Sequence, residues 1–217
     1  MQKGHPYSLS KTVQLADDIL LVKGFGLCSN CYILLDNDAH ESITIDAGRG
    51  PNSEAIHAAA GENIKFALLT HGHADHISGL DKLGCDGFVS EKDLKIIKEL
   101  NYFIENFKPP KRLKSFSEMA SESKDEIRFG NFSLKIIPTP GHTPGSVCFL
   151  DEHRGLLFSG DTLFAKSHGH EVVGRTDLPF SSDEEMGKSL LKLKALKLNT
   201  VFPGHGAIES LNTRAEE

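Results

Sequence analysis

The sequence predicts an α/β domain in which two β-sheets are flanked by helices, and three observations carry that expectation. Apolar runs of strand length alternate with longer amphipathic stretches, in the order strands, helix, strand, helix, strands, helix, strand. Twenty glycines and nine prolines in 217 residues supply more turns than a helical bundle uses. Four of the apolar runs end in a loop that sets glycine beside a histidine or aspartate. No linker or internal repeat interrupts the pattern, so residues 1–217 are read as one domain.

Residues 12–23 alternate loosely and read as a strand or hairpin turning at Asp17-Asp18. Residues 31–35 and 42–46 form a second pair of short apolar strands, separated by the turn residues Asp36-Asn37-Asp38. Asn52 or Ser53 is placed to cap a short helix that runs to Ala60. Residues 64–69 are a buried strand, Phe88-Val89 a brief one, and Ser90 caps a helix from Glu91 to Leu100. Residues 101–125 carry two prolines and scattered aromatics, which suits a surface excursion lining a cleft. Residues 132–137 alternate until Pro138 stops them. Residues 146–150 then pair with 156–159 across the turn 151–155. An amphipathic helix over 182–196 and a last strand at 200–202 complete the chain.

Composition removes several function classes. The formal charge of −6, without a dense Lys/Arg run, lacks the footprint of a nucleic-acid binder. No apolar run approaches membrane-spanning length, and residues 1–7 are too polar for a signal peptide. Cys28, Cys31, Cys85 and Cys148 are too sparse for a disulfide framework, which points to the cytoplasm. Cys28 and Cys31 have the spacing of a redox pair, but Cys31 opens an apolar strand and reads as buried.

Chemistry concentrates where the strand at 64–69 ends. His71, His73, Asp75 and His76 follow it within six positions, broken by Gly72. Imidazole and carboxylate are ligands for borderline transition metals, and neither has a packing advantage behind an apolar strand. Adjacent residues Asp75 and His76 point in different directions, so one ion could hardly collect all four side chains. Two neighbouring sites are expected, with His71 and His73 on one and Asp75 and His76 on the other.

Three further strand ends carry the same kind of residue: His142 after Gly141, Asp161 after Gly160, and His205 between Gly204 and Gly206. Alone, His142 or His205 could be a loop residue satisfied by backbone hydrogen bonds, and Asp161 could merely cap the following segment. Repetition of one context argues for them together. Gathered at one sheet edge, the four loops would deliver five histidines and two aspartates, enough for two metals and open positions for water.

This pattern, His71-x-His73-x-Asp75-His76 followed by Gly141-His142, Gly160-Asp161 and Gly204-His205-Gly206, resembles the signature of the metallo-β-lactamase superfamily from about Asn30 to Gly206. The resemblance implies an αββα sandwich with its site along one sheet edge. By it, His71, His73 and His142 hold one metal, Asp75, His76 and His205 the other, and Asp161 bridges them. Residues 139–146, 160–164 and 174–179 resemble the glyoxalase II branch, the hydroxyacylglutathione hydrolases. Asp75 speaks against the common β-lactamases, many of which carry cysteine in place of Asp161. The sequence ends at Glu217, too soon after Gly206 for the helical region that binds glutathione in full-length glyoxalase II. Residues 165–173, with His168 and His170, also lengthen the segment before Gly174-Arg175.

The expected function is a metal-dependent hydrolase in which a hydroxide shared by two divalent ions cleaves a thioester or ester. Zinc is the first choice of metal, with iron or manganese also compatible. Asp75 is assigned a catalytic orienting role, and Thr70 or Ser159 is expected to fix histidine tautomers. Arg175, Lys166 and Tyr102 are the candidate substrate residues, with Arg112 behind them. His168 and His170 read as surface residues. The expected partner is a small-molecule thioester or ester, with no nucleic acid, no membrane, and a homodimer left open. The rivals are a mononuclear-iron persulfide dioxygenase using His71, His142 and Asp161, a phosphodiesterase or nuclease on the same fold, and a non-catalytic metal module.

Overall fold

In the computed structural model, which describes residues 11–119, 125–167 and 170–211, the two N-terminal hairpins form where the alternation places them. β1 (Thr12–Ala16) turns at Asp17-Asp18 into β2 (Ile19–Val22), and β3 (Cys31–Asp36) returns into β4 (Glu41–Ile45). β5 (Ile64–Leu68), β6 (Asp86–Val89) and β7 (Leu113–Ser115) add in parallel, completing a seven-stranded sheet in sequential order. Parallel neighbours need long crossovers, and helices supply them. These are α1 (Pro51–Ala60), the short α2 (Ala74–Ile77) and α3 (Leu80–Leu83), and α4 (Glu91–Leu100).

A second sheet contains β8 (Glu126–Phe129), β9 (Phe132–Pro138), β10 (Val147–Asp151) and β11 (Leu156–Gly160) as an antiparallel meander. A hairpin of β12 (Leu163–Ser167) and β13 (His170–Val173) stands apart from it. After α5 (Asp183–Lys194), β14 (Thr200–Pro203) joins parallel to β11, and β15 (Glu209–Ser210) closes the edge.

Period-two alternation explains the layering. On β3, Tyr32 and Leu34 face the space between the sheets, where they meet Phe149 and Phe158. Their neighbours Cys31 and Ile33 face the other way, under Ile56 of α1, Leu80 of α3 and Ile97 of α4. β10 does the same: Val147 and Phe149 point inward, while Cys148 and Leu150 pack outward beneath Leu193 of α5. Strands buried on both faces between helices make the αββα sandwich. Among the described residues, no helix is long and apolar enough to cross a membrane.

Some elements differ from the sequence expectation. Gly50, not Asn52 or Ser53, precedes the first turn of α1, where Pro51 supplies the fixed φ that suits a helix start. Ser90 and Ser182 do cap α4 and α5, their hydroxyls accepting from Lys92 N–H and Glu185 N–H. β7, β8, β15, α2 and α3 span four residues or fewer, too short for a periodic pattern to show. The lengthened segment around residue 170 folds as the β12–β13 hairpin. The polar residues 1–7 and His168 lie outside the described residues, and of the His170 side chain nothing is described.

Both sheets present their strand ends to a common edge, and the core fixes that edge. Phe158 of β11 and Phe202 of β14 stack with ring centroids 4.9 Å apart, and Tyr32 meets both edge-on at 5.4 and 5.3 Å. The Tyr32 hydroxyl donates to the Pro203 carbonyl at 2.8 Å, next to the Gly204-His205 turn. Burial of that hydroxyl holds its pKa far above the ordinary value, so it stays a donor.

Candidate metal centre

Five histidines and two aspartates from four loops meet at that edge. His71 and His73 leave the end of β5, and Asp75 and His76 sit on α2, whose first turn begins directly after His73. His142 follows β9, Asp161 follows β11, and His205 follows β14. Ligand atoms of His71, His73 and His142 lie within 4.8 Å of one another, as do those of His71, His76 and Asp161 and those of Asp75, His76 and His205. Asp161 reaches both sides: its Oδ1 is 3.4 Å from His76 Nε2, while its Oδ2 is 3.5 Å from His142 Nε2 and 3.6 Å from His205 Nε2.

Glycines permit this approach. Gly160 holds φ at +49°, and a Cβ there would stand 2.6 Å from Thr70 Cβ, so only glycine lets Asp161 turn in behind the strand. At Gly204 a Cβ would collide with the Asp161 carboxylate and the His76 ring.

Buried partners assign the histidine tautomers. The Thr70 hydroxyl donates to the Asp46 carboxylate at 3.0 Å, so it accepts from His71 Nδ1, also at 3.0 Å. His76 Nδ1 donates to Asp46 Oδ2 at 2.7 Å, and His142 Nδ1 donates to the Arg175 carbonyl at 2.8 Å. His71 and His142 therefore turn a bare Nε2 inward, and His76, its Nδ1–H held by Asp46, has only Nε2 to offer a metal once the proton there has left. His73 is reversed, presenting Nδ1 at 2.9 Å from His142 Nε2. His71 Nε2, His76 Nε2 and Asp161 Oδ1 are buried without a hydrogen-bond partner. Such orphaned acceptors are rare in folded proteins and call for a cation. A borderline divalent metal fits this set of imidazoles and carboxylates.

Electrostatics agree with that fit. Burial, reinforced by His76 and the other clustered rings, pushes the His71 pKa well below its ordinary value, and burial with His142 lowers His73 to about 4. Burial also works against charging His76, but the carboxylates of Asp46, Asp161 and Asp75 outweigh it and raise its pKa. Asp161 and Asp75 are held below the usual carboxylate range, the nearby imidazoles overcoming the cost of burial. The carboxylates are ionised and His71 and His73 neutral at physiological pH, ready to bind metal, whereas His76 must release a proton to do so.

Two buried polar residues outside the ligand set hold the loops. Asp93 on α4 accepts from Gly72 N–H at 2.8 Å, Gly145 N–H at 2.7 Å and the Thr143 hydroxyl at 2.7 Å, tying the His71–His73 loop to the His142 loop. Asn101 donates to the Gly72 carbonyl at 2.9 Å and accepts from Ala74 N–H at 2.8 Å. Asp46 is itself unusual, a non-glycine at φ +63° held by Thr70 N–H at 2.8 Å. Sequence reasoning singled out none of the three. Thr70 has the role expected of it, whereas the Ser159 hydroxyl bonds to the Leu163 and Phe202 carbonyls and touches no histidine.

A cleft of about 670 Å³ opens over the centre, lined by Leu27, Arg49, Tyr102, Phe103, Phe164 and Arg175 among others. Of the expected substrate residues, Tyr102 and Arg175 line it. The Arg175 guanidinium makes two 2.8 Å bonds to Asp177, so its charge is already matched. Lys166 does not line this cleft. Its backbone N–H donates to Glu209, and it borders a separate hollow of about 250 Å³ with Leu193 and Val201, after an irregularity in the β12–β13 register between Phe164 and Ser167. Arg112 lies 3.8 Å from Asp86, also away from the cleft lining.

The sequence profile of the metallo-beta-lactamase superfamily matches residues 26–205. The chain belongs to this superfamily. Within it, the chain is 29% identical over 192 residues to the hydroxyacylglutathione hydrolase GloC of Haemophilus influenzae, covering 84% of this chain and 87% of that one. It is 30% identical over 158 residues to a mitochondrial persulfide dioxygenase of Homo sapiens, covering 69% of this chain and 52% of the relative. Among solved structures, it superposes with a TM-score of 0.69 on a protein crystallised in a di-iron-bound form, at 27% identity, covering 88% of this chain and 94% of the other.

Proposed function

We propose that this superfamily member is a two-metal hydrolase of thioesters or esters, in the manner of the hydroxyacylglutathione hydrolase it resembles. The observation that carries the reading is the second donor set. Asp75, His76 and His205 converge beside the first three histidines, with Asp161 touching both groups. A mononuclear centre would leave that second set without purpose. In this reading His71, His73 and His142 would hold one ion and Asp75, His76 and His205 the other, with Asp161 available to both.

A pair of divalent cations held there supplies a hydroxide at neutral pH and electrophilic activation of a carbonyl. The chain does the rest. Asp46, Thr70 and the Arg175 carbonyl fix the ring tautomers, and Asp93 and Asn101 hold the loops at the spacing the ligands need. Asp75 is partly open to the cleft and hydrogen-bonded to His205 at 3.0 Å, placed to orient the attacking oxygen. Hydrolysis breaks the C–S or C–O bond, and the departing thiolate needs no side-chain acid. The four unpaired cysteines suit a reducing cytoplasm.

The test is elemental analysis of purified protein beside a thioester hydrolysis assay. Two equivalents of zinc, iron or manganese with turnover are expected. Its likeness to a persulfide dioxygenase motivates one control. One equivalent of iron, with oxygen uptake on a glutathione persulfide and no thioester turnover, would replace this reading with the oxygenase.

A further inference from the structure

The rim of the cleft differs in character from its floor. The described residues expose six large apolar side chains: Phe25, Leu27, Tyr102, Phe103, Phe180 and Leu191. Leu27 (80% exposed), Tyr102 (71%) and Phe103 (58%) line the metal cleft, while Phe25 and Phe180 adjoin its lining residues Gly26 and Pro179. Apolar side chains scattered without purpose would not collect at one mouth, and a contiguous exposed patch marks a binding surface. The wall beneath continues the theme with Ile104, Phe164 and Val173. Cations are scarce there. Arg175 is matched by Asp177, and among the described residues Arg49 makes no ion pair.

We infer that the substrate carries an apolar acyl group, seated among Leu27, Tyr102 and Phe103, and at most one carboxylate, met by Arg49. This rests on the hydrolase reading and narrows it. Glutathione brings two carboxylates and an ammonium, and this rim offers them one unmatched cation and several aromatic faces. The cleft volume of about 670 Å³ lies in the range of pockets that enclose drug-sized ligands. Burying the acyl chain removes its methylenes from water, and each contributes to affinity for the transition state.

The experiment uses the metal-loaded full chain with acyl thioesters of N-acetylcysteamine, from acetyl to decanoyl, and with a lactoyl thioester of glutathione. The same series is made as S-alkyl thioethers, which cannot be hydrolysed, for binding calorimetry. We expect kcat/KM and thioether affinity to rise about two- to fourfold per added methylene until the chain outgrows the cleft. Tyr102→Ser with Phe103→Ser should flatten both slopes. Flat slopes in the native chain, or a glutathione thioester turned over faster than the octanoyl one, overturn the inference. Thioether binding that grows with chain length without any turnover upholds the apolar site and overturns the hydrolase reading instead. Sedimentation showing a dimer that Phe103→Ser dissociates overturns the inference too, since the rim would then be an interface between copies.

Discussion

The floor of the cleft and its rim are built on opposite principles. The floor is polar yet buried, and nearly every atom in it answers to a second atom behind it: Asp46 behind His71 and His76, the Arg175 carbonyl behind His142, Asp93 and Asn101 behind the loops. The rim is apolar yet exposed, carried on connections between elements. Burial of unpaired polar groups is costly, so the floor tolerates little change, whereas an exposed aromatic is held by nothing and can vary. The difference separates chemistry from choice: the same buried machinery can serve different substrates by exchanging its rim.

The contrast is sharpest at Asp161, whose carboxylate oxygens lie near ligands of both donor sets. Asp161→Ala is expected to abolish turnover and leave at most one metal per chain, with circular dichroism and the fold retained. Full activity with two metals would remove the bridging role and with it the contrast between floor and rim. Next comes Asp46. Asp46→Ala removes the partner that fixes the His76 tautomer and, through Thr70, that of His71. Metal affinity should weaken by about 10–100-fold, measured by competition with a chromophoric chelator. An unchanged affinity would show that the rings are oriented without it.

Asp93→Ala tests the loops themselves. It strands the Gly72 and Gly145 N–H groups in a buried place, while the Thr143 hydroxyl keeps Ser146, at a cost of about 2–4 kcal/mol in urea unfolding of the metal-free protein. Asp93→Asn, which keeps the shape, should recover part of that loss. If Asp93→Ala were neutral, the floor would not be over-determined in the sense argued.

Acid probes the same region more gently. His71 and His73 have folded pKa values below the ordinary 6.5, His73 at about 4, so the unfolded chain takes up protons there that the folded one refuses. Their contribution to stability is therefore complete above pH 6.5 and declines as pH falls, by about 1.4 kcal/mol per pH unit for each ring. His76 has the opposite sign. Its raised pKa contributes stability below 6.5 that is lost as pH rises through the folded value. Thermal melts of metal-free protein should accordingly peak near pH 6.5 and drop on both sides. A melt that rises steadily into acid would contradict the buried, neutral state of the two rings.

The floor was legible in the sequence to the depth of its ligands and no further. His71, His73, Asp75 and His76 stand together, and His142, Asp161 and His205 repeat one strand–glycine–ligand context, so their meeting could be expected. Short apolar runs and turn residues likewise revealed the hairpins, whereas the two-faced burial of β3 and β10 emerged only with the helices packed over them. Asp46 and Asp93 escaped because a lone aspartate at a strand end or in a helix's first turn reads as a cap or a solvated charge. Only its three-dimensional donors reveal it. Asp46, ending an apolar strand before Ala47-Gly48, did share the strand-end context of Asp161, and that signal could have found it. Lys166 borders a different hollow from Tyr102 and Arg175, and an exposed cation carries no sign in the sequence of which hollow it will border. Tyr102 and Phe103 follow a helix end in a segment without period, so their gathering with Leu27 needs the fold.

The smallest effect is expected at Cys28, where rim and interior meet in neighbouring thiols. Cys31 is fully buried, its thiol donating to the Asp46 carbonyl at 2.9 Å, and burial pushes its pKa well above the ordinary value. Cys85 and Cys148 are likewise raised by burial, each to about 11. Cys28 is only half-buried, its pKa raised by that burial against the pull of Arg49, and it directly follows Leu27 on the rim. An aromatic disulfide at about pH 8 attacks thiolates that it can reach. One thiol, Cys28, should therefore react in the native protein, and four after unfolding. A Cys28–Cys31 redox pair would instead yield two in the reduced protein and none after mild oxidation. The label at Cys28 crowds Leu27 first, with Asp75 the nearest member of the floor. It should raise KM for a long acyl thioester by a small factor while kcat holds, the signature of lost uniform binding. A fall in kcat at constant KM would mean that rim and floor move as one body, and the separation of choice from chemistry would fail at its closest point of contact.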